Sequence, residues 1–266
     1  MSVSNKSCII TGAANGVGLA IARRFAEAGA QIVMTDIEED KLTAEAEALV
    51  SDGYRAIAFA GDLRERLTIA NLLSTTIDAY DRIDILVNAS RSFEHTSSLD
   101  MDPDTLTDMF DQNVGANLRI TQAVVRKILK MAKKSGNDNP TGAVVNVTSI
   151  AARRTLPQLT AYSVTTAALD QLTRSLAVAF ADKGIRVNAI AIGSVMSTRL
   201  REALNEDADL RAHVIAATPA GRIGEAAEAA EAAIFLASEG ASFVTGQILS
   251  VDGGRSLIDP LSMPAH

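Results

Sequence analysis

The segment Thr11-Gly12-Ala13-Ala14-Asn15-Gly16-Val17-Gly18 lies between a β-branched run and the Ala-rich stretch 19–30. Glycines placed there let the chain turn tightly and let a pyrophosphate approach the N–H groups at a helix N-terminus, where the dipole favours anions. A glycine cluster alone is weak, and a purely structural turn would look similar. A second apolar run, however, ends at Asp36, about 20 residues downstream, as the dinucleotide fingerprint requires. Gly12, Asn15, Gly16, Val17 and Gly18 are therefore candidate cofactor contacts. Asp36 can accept both hydroxyls of an adenosine ribose and would repel a 2′-phosphate. No Arg or Lys stands at positions 13–15 to attract one. NAD is favoured over NADP. Asp36 could instead be a solvated residue before Glu38, Glu39 and Asp40, but its place at a strand end favours the ribose. Asp62, at the end of a third such run, could reach the adenine edge.

These residues need a scaffold, and the pattern supplies one. Strand candidates at 8–11, 31–35, 55–60, 83–88, 143–148, 186–191 and 247–251 alternate with helical stretches beginning near Gly16, Glu39, Leu63, Pro103, Pro157 and Glu225. Such alternation predicts an α/β fold, with helices on both faces of a parallel sheet. The turn formers of 135–142 (SGNDNPTG) predict an exposed loop between a helix and a strand. The stretch 193–224 has mixed charge and weak periodicity, which reads either as a substrate lid or as a surface helix pair.

Composition narrows the function classes. The chain has 266 residues, 47% hydrophobic and 21% charged, with 25 basic and 32 acidic side chains and a formal charge of −7. This profile fits one large globular domain spanning 1–266. The acid excess opposes binding to nucleic acid or to an anionic membrane. Cys8 is the sole cysteine, and His95, His213 and His266 lack ligand spacing, so no metal site is expected. No run reaches the length of a membrane span or a signal-peptide core, which leads to the expectation of a cytoplasmic protein.

Taken together, TGAANGVG, Asp36, Gly61-Asp62-Leu63, Asp84-Ile-Leu-Val-Asn88, Asn113, Ser149, Tyr162, Val187-Asn188, Thr245-Gly246 and Val251-Asp252-Gly253-Gly254 resemble the short-chain dehydrogenase/reductase family over nearly the full length. The resemblance implies a single doubly wound Rossmann-type domain with a seven-stranded parallel sheet, assembled as a homodimer or homotetramer. It also implies hydride transfer between a nicotinamide and a small alcohol or carbonyl substrate. Tyr162 would be the acid/base, Ser149 would hold the substrate oxygen, and Asn113 would anchor a water relay. Further cofactor contacts would come from Asp62, Leu63, Asn88, Ala89, Tyr162, Gly193 and Val195.

Three departures gather around the nicotinamide half. Family members carry a lysine four residues after the tyrosine, and here that position is Thr166. A phenol ionises near pH 10, so efficient proton exchange at neutral pH calls for a nearby cation. A unit charge at about 4 Å is worth ~4 kcal/mol at an effective dielectric of 20. Arg91 stands where a glycine is common, and Ile192 replaces a proline. Two main readings follow: an NAD-dependent oxidoreductase impaired by the missing lysine, or a catalytically silent NAD(H)-binding protein acting as a sensor or oligomer partner. In a third, Arg91 supplies the missing charge, against the simpler reading of a solvated surface residue. Val195, Met196, Leu200 and Leu204 suggest an apolar wall for the substrate. Arg153, Arg154, Arg199 and Arg201 could meet an anion or face water, and His95 reads as a loop residue.

Overall fold

Strands buried on both faces of a parallel sheet need continuous apolar runs. Seven such runs pair here: Ser7–Thr11 (β1), Gln31–Asp36 (β2), Arg55–Ala60 (β3), Ile85–Asn88 (β4), Gly142–Ser149 (β5), Ile185–Ile192 (β6) and Ile248–Val251 (β7). In the computed structural model, which describes residues 2–259 apart from Asp100, Ala208 and the side chain of Pro103, they form one sheet of order β3-β2-β1-β4-β5-β6-β7. His266 lies outside the described residues. Every pairing is parallel. The parallel α/β sheet expected from the pattern, and the seven-stranded doubly wound form that the resemblance implies, are the architecture observed.

Side-chain alternation divides the core in two. Ile10, Ile32 and Val145 pack beneath Gly16–Glu27 (α1), Glu39–Ser51 (α2) and Ala226–Ala237 (α9). Ile9, Val33 and Val144 pack beneath Arg66–Tyr80 (α3), Asn117–Ser135 (α5) and Thr160–Phe180 (α6). Among the described residues no helix is long and apolar enough to cross a membrane.

The structure refines the pattern in three places. The stretch starting near Pro103 divides into Pro103–Phe110 (α4), a π-helical turn Asp111–Ala116, and α5. Within that turn Gly115 faces Asp111 and Arg119, which pair at 2.8 Å; a Cβ there would lie 2.7 Å from the Asp111 carboxylate. One extra residue per turn shifts the helical phase, so a search for one steady period runs through it. Second, the expected loop at 135–142 is present, with Gly136 ending α5 at φ 69°. Third, residues 193–224 hold two short helices, Thr198–Glu206 (α7) and Leu210–Ala216 (α8). Their ends are closed at the base by Met196 N–H to Gly224 O (2.8 Å) and Gly224 N–H to Ser194 O (2.8 Å).

A polar seam runs under the sheet's centre. The Asn88 amide donates to Asn146 Oδ1 (2.9 Å) and Thr121 Oγ1 (3.1 Å), and the Asn146 amide donates to Thr173 Oγ1 (2.8 Å). Asn88 and Asn146 are each 1% exposed, so water cannot replace these partners. Asn146→Leu should lower the unfolding free energy by about 1–3 kcal/mol, the cost of orphaning a buried polar group. Chemical denaturation measures this, and an unchanged midpoint would contradict it.

Candidate active site

Ligands of open α/β sheets bind beyond the carboxyl ends of the strands, where the strand order reverses. Here the order reverses between β1 and β4, and a cavity of about 1010 Å³ opens there. It is walled by residues leaving β1 (Gly12), β2 (Asp36), β4 (Ala89, Arg91), β5 (Ser149) and β6 (Gly193).

The glycine turn makes the floor. Gly12 has φ 65°, and a Cβ there would lie 2.7 Å from Ser90 N, so the chain leaving β1 touches the chain leaving β4 with no room for a side chain. Thr11 Oγ1 accepts from both Ala89 N–H and Ser90 N–H at 3.0 Å, fixing that contact. Gly18 passes so close to Gly12 O that a Cβ would fall 2.0 Å from it. Gly16, at φ 56°, faces the cavity; a Cβ there would meet only Thr198, at 3.4 Å or more. Asn15, Val17 and Gly18 also line the cavity.

Asp36 is held by the backbone. Its Oδ2 accepts from Ala14 N–H (3.1 Å), and its Oδ1 accepts from Ile37 N–H (2.7 Å) and Glu38 N–H (3.3 Å). The carboxylate is thereby pre-oriented at the end of the cavity. Asp62 and Leu63 line the same end. Arg64 grips Asp62 at 2.6 Å and holds its carboxyl below the usual carboxylate range, so Asp62 faces the cavity as half of an ion pair.

At the other end stand Ser149 and Tyr162. Ser149 Oγ accepts from Ala151 N–H at 3.1 Å, at the start of a short 3-10 turn. Tyr162, 3% exposed on α6, packs against Phe93 with ring centroids 4.6 Å apart and the rings tilted by 54°. The Arg199 guanidinium lies 4.0 Å from the Phe93 ring centre and donates to Phe93 O at 2.9 Å. With Thr198 Oγ1 bonded to Asn15 Oδ1 (3.3 Å), α7 bridges the two ends of the cavity from above. Val195 and Gly193 line its wall, and Gly193 presses against Ile150.

Two expected contacts stand elsewhere. The Asn88 side chain enters the seam between β4 and β5 and does not line the cavity, because the strand end turns its amide toward Asn146. Asn113 is also turned inward. Its Oδ1 accepts from Ser92 N–H (2.7 Å) and its amide donates to Ser92 O (2.9 Å) and Thr165 Oγ1 (3.1 Å). Its carbonyl takes the Asn117 amide at 2.7 Å. The side chain thus clamps the loop after β4 onto α6. The Thr166 hydroxyl turns back onto its own helix, donating to Tyr162 O at 2.8 Å. Arg153 pairs with the buried Asp170 at 3.7 Å, and Arg154 donates to Ser256 O. Thr11, Phe93, Ser194 and Arg255 are further residues of this region to which the sequence pattern gives no role. Ser194 takes φ 57°, and its hydroxyl accepts from Arg255 at 3.1 Å. Only Thr11, directly before the glycine turn, carried a positional signal.

With this geometry in hand, comparison with known proteins is specific. The family model described as enoyl-(acyl carrier protein) reductase matches residues 12–256. The chain is 32% identical over 253 residues to the 3-oxoacyl-(acyl-carrier-protein) reductase of Chlamydia trachomatis serovar D, covering 95% of this chain and 98% of that one. A gluconate 5-dehydrogenase from Burkholderia cenocepacia J2315, solved with NADP and tartrate, superposes with TM-score 0.88 at 31% identity, covering 97% and 98% of the two chains. A 7α-hydroxysteroid dehydrogenase solved with NADH and 7-oxo glycochenodeoxycholic acid gives TM-score 0.87 at 31% identity and 95% of each chain. The chain belongs to the short-chain dehydrogenase/reductase family, whose members are oxidoreductases that bind a nicotinamide cofactor.

The residues present fit such a cofactor. The cradle at Gly16 is open to a phosphate, and Arg91 Nη1 is buried in the cavity wall with no hydrogen-bond partner among the described residues. Gly12→Ala should weaken dinucleotide binding at least tenfold and lower the melting temperature, because backbone must move. Gly53→Ala, at φ 88° with nothing within 4 Å of the added carbon, should cost only the left-handed strain of about 1–2 kcal/mol. Calorimetric titration and thermal melting distinguish the two; equal binding losses would contradict the account.

Proposed function

We propose that the protein is an NAD(H)-dependent oxidoreductase interconverting a small alcohol and its carbonyl compound. The observation that carries this is one cavity lined at one end by the glycine turn and Asp36 and at the other by Ser149 and Tyr162. A bound nicotinamide supplies or takes up the hydride. Ser149 uses a lone pair on Ala151 N–H, so its single proton remains available to a substrate oxygen. In reduction the Tyr162 phenol gives its proton to that oxygen as the new C–H bond forms; in oxidation its phenolate takes the proton back. Packing of Phe93 against Tyr162 excludes water from one face of the ring.

The preference for NAD(H) rests on charge. Asp36, Glu38 and Glu202 all line the cavity, and a carboxylate fixed by backbone N–H groups can receive ribose hydroxyls but repels a 2′-phosphate. One related structure holds NADP and another NADH, so the preference rests on this chain's own residues. The whole chain acts as one nucleotide-binding unit, with α7 and α8 as its lid. Among the residues of α7 none is buried, and α7 touches the cavity rim at Asn15 and Phe93. Exposed Val164 and Val178 on α6 support self-association as a dimer or tetramer.

Thr166 favours a second reading, a binding protein without turnover, because its hydroxyl is spent on the helix backbone. Tyr162→Phe discriminates between the two. The enzyme reading predicts a fall in turnover of about 10²- to 10⁴-fold, the usual worth of a general acid/base, with NADH affinity within threefold of the parent. A parent inert across alcohols, ketones and sugars while binding NADH, and activated by Thr166→Lys, would establish the silent reading. For cofactor choice, NADH should bind at least tenfold more tightly than NADPH, and Asp36→Ser should narrow the gap. Equal parent affinities would overturn the preference.

A further inference from the structure

Among the cations lining the cavity, Arg64 is paired with Asp62, Arg154 donates to Ser256 O, Arg199 to Phe93 O and Arg255 to Ser194 Oγ. Arg91 differs. Its Nη1 is buried and has no hydrogen-bond partner among the described residues. A guanidinium N–H buried without an acceptor is costly, because it has given up water for no partner. A position built this way is completed by oxygens that arrive from outside.

The chain itself says which oxygens. Ser90, the preceding residue, packs its backbone on Gly12 in the phosphate-binding turn. Ser92, the following one, is clamped by Asn113, which bonds Thr165, whose hydroxyl donates to Tyr162 O. Phe93 then packs against the Tyr162 ring. Arg91 is thus bracketed between the turn that receives a pyrophosphate and the phenol that exchanges its proton with the substrate oxygen. In a dinucleotide lying from Asp36 to Tyr162, the group between pyrophosphate and nicotinamide is the second ribose. Its two adjacent hydroxyls match the fork of a guanidinium.

Resting on the oxidoreductase reading, we propose that Arg91 binds the nicotinamide-side ribose diol and is the cation that serves Tyr162 in this chain, in place of any group at position 166. No lysine lines the cavity among the described residues, and Thr166 has turned its hydroxyl onto the helix. Arg91 would reach that ribose from the loop after β4 instead of from α6.

The test uses three probes on the full chain: ADP, which ends at the pyrophosphate, ADP-ribose, which adds the second ribose, and NADH. Calorimetry on Arg91→Gln should show ADP affinity within twofold of the parent and ADP-ribose and NADH weakened about 10- to 100-fold, as expected for lost hydrogen bonds to a charged group. Arg91→Lys, which keeps the charge and guards against misfolding, should weaken ADP-ribose less than tenfold. In the oxidation direction the rising limb of the rate against pH should move at least one unit upward in Arg91→Gln and less than half a unit in Arg91→Lys. Equal losses for ADP and ADP-ribose would place Arg91 on the pyrophosphate and overturn the proposal, as would unchanged affinities. A parent that binds ADP and ADP-ribose but turns over no substrate, with the losses above, would sink the oxidoreductase reading while upholding the Arg91–ribose contact and removing its service to Tyr162.

Discussion

The site depends on how closely two strand ends can approach. β1 and β4 are neighbours in the sheet, and where they stop the chains must diverge to open a crevice. Gly12 sits where a Cβ would come within 2.7 Å of Ser90 N, so a substituted residue would wedge the ends apart. Thr11 Oγ1 bonds two consecutive N–H groups across the gap. That contact sets the floor on which the helix α1 N-terminus, Asp36 and the loop after β4 take their positions. Since backbone groups are its main parts, it is stiff without needing many side chains.

A second rigid platform supports the reacting end. The loop after β4 is fastened by Asn113 to α6, and α6 carries Tyr162. Asn113 can face Ser92 and Thr165 because a π-helical turn separates α4 from α5, and such turns recur at functional sites. Beneath lies the Asn88–Asn146–Thr173 seam. Buried polar chains of this kind impose one arrangement, because misalignment leaves groups without partners. Phe93 and Arg199 extend these contacts to α7, linking that helix to the phenol through a ring and a guanidinium.

The fold was legible because its signals are local and repeated: apolar strand runs, Ala-rich helices, a glycine turn and an acid at the right distance. Asp36 is marked by its distance from the glycine turn, whereas Ser149 and Tyr162 stand out only through the family resemblance; the structure brings all three to one cavity. Asn88 and Asn113 were assigned to the cofactor and the water relay, and a one-dimensional pattern cannot say which way an amide turns. Their side chains serve the packing beneath the site. The Phe93–Arg199 stack and the Ser194–Arg255 bond join residues about 60 or more positions apart, so no window along the chain contains them. Arg91 was visible as an unusual residue, but only burial of its Nη1 separates it from a solvated arginine.

In the arrangement proposed, the cofactor lies in one line from Asp36 across the Gly12–Ser90 contact to Tyr162. A crystal structure of the protein with NADH bound tests it most directly. That structure should show the adenosine ribose hydroxyls on Asp36, the pyrophosphate against the residue 12–18 turn, the second ribose within hydrogen-bond distance of Arg91, and the nicotinamide beside Tyr162. A nicotinamide displaced from Tyr162, or an Arg91 guanidinium pointing away from the ribose, would contradict it.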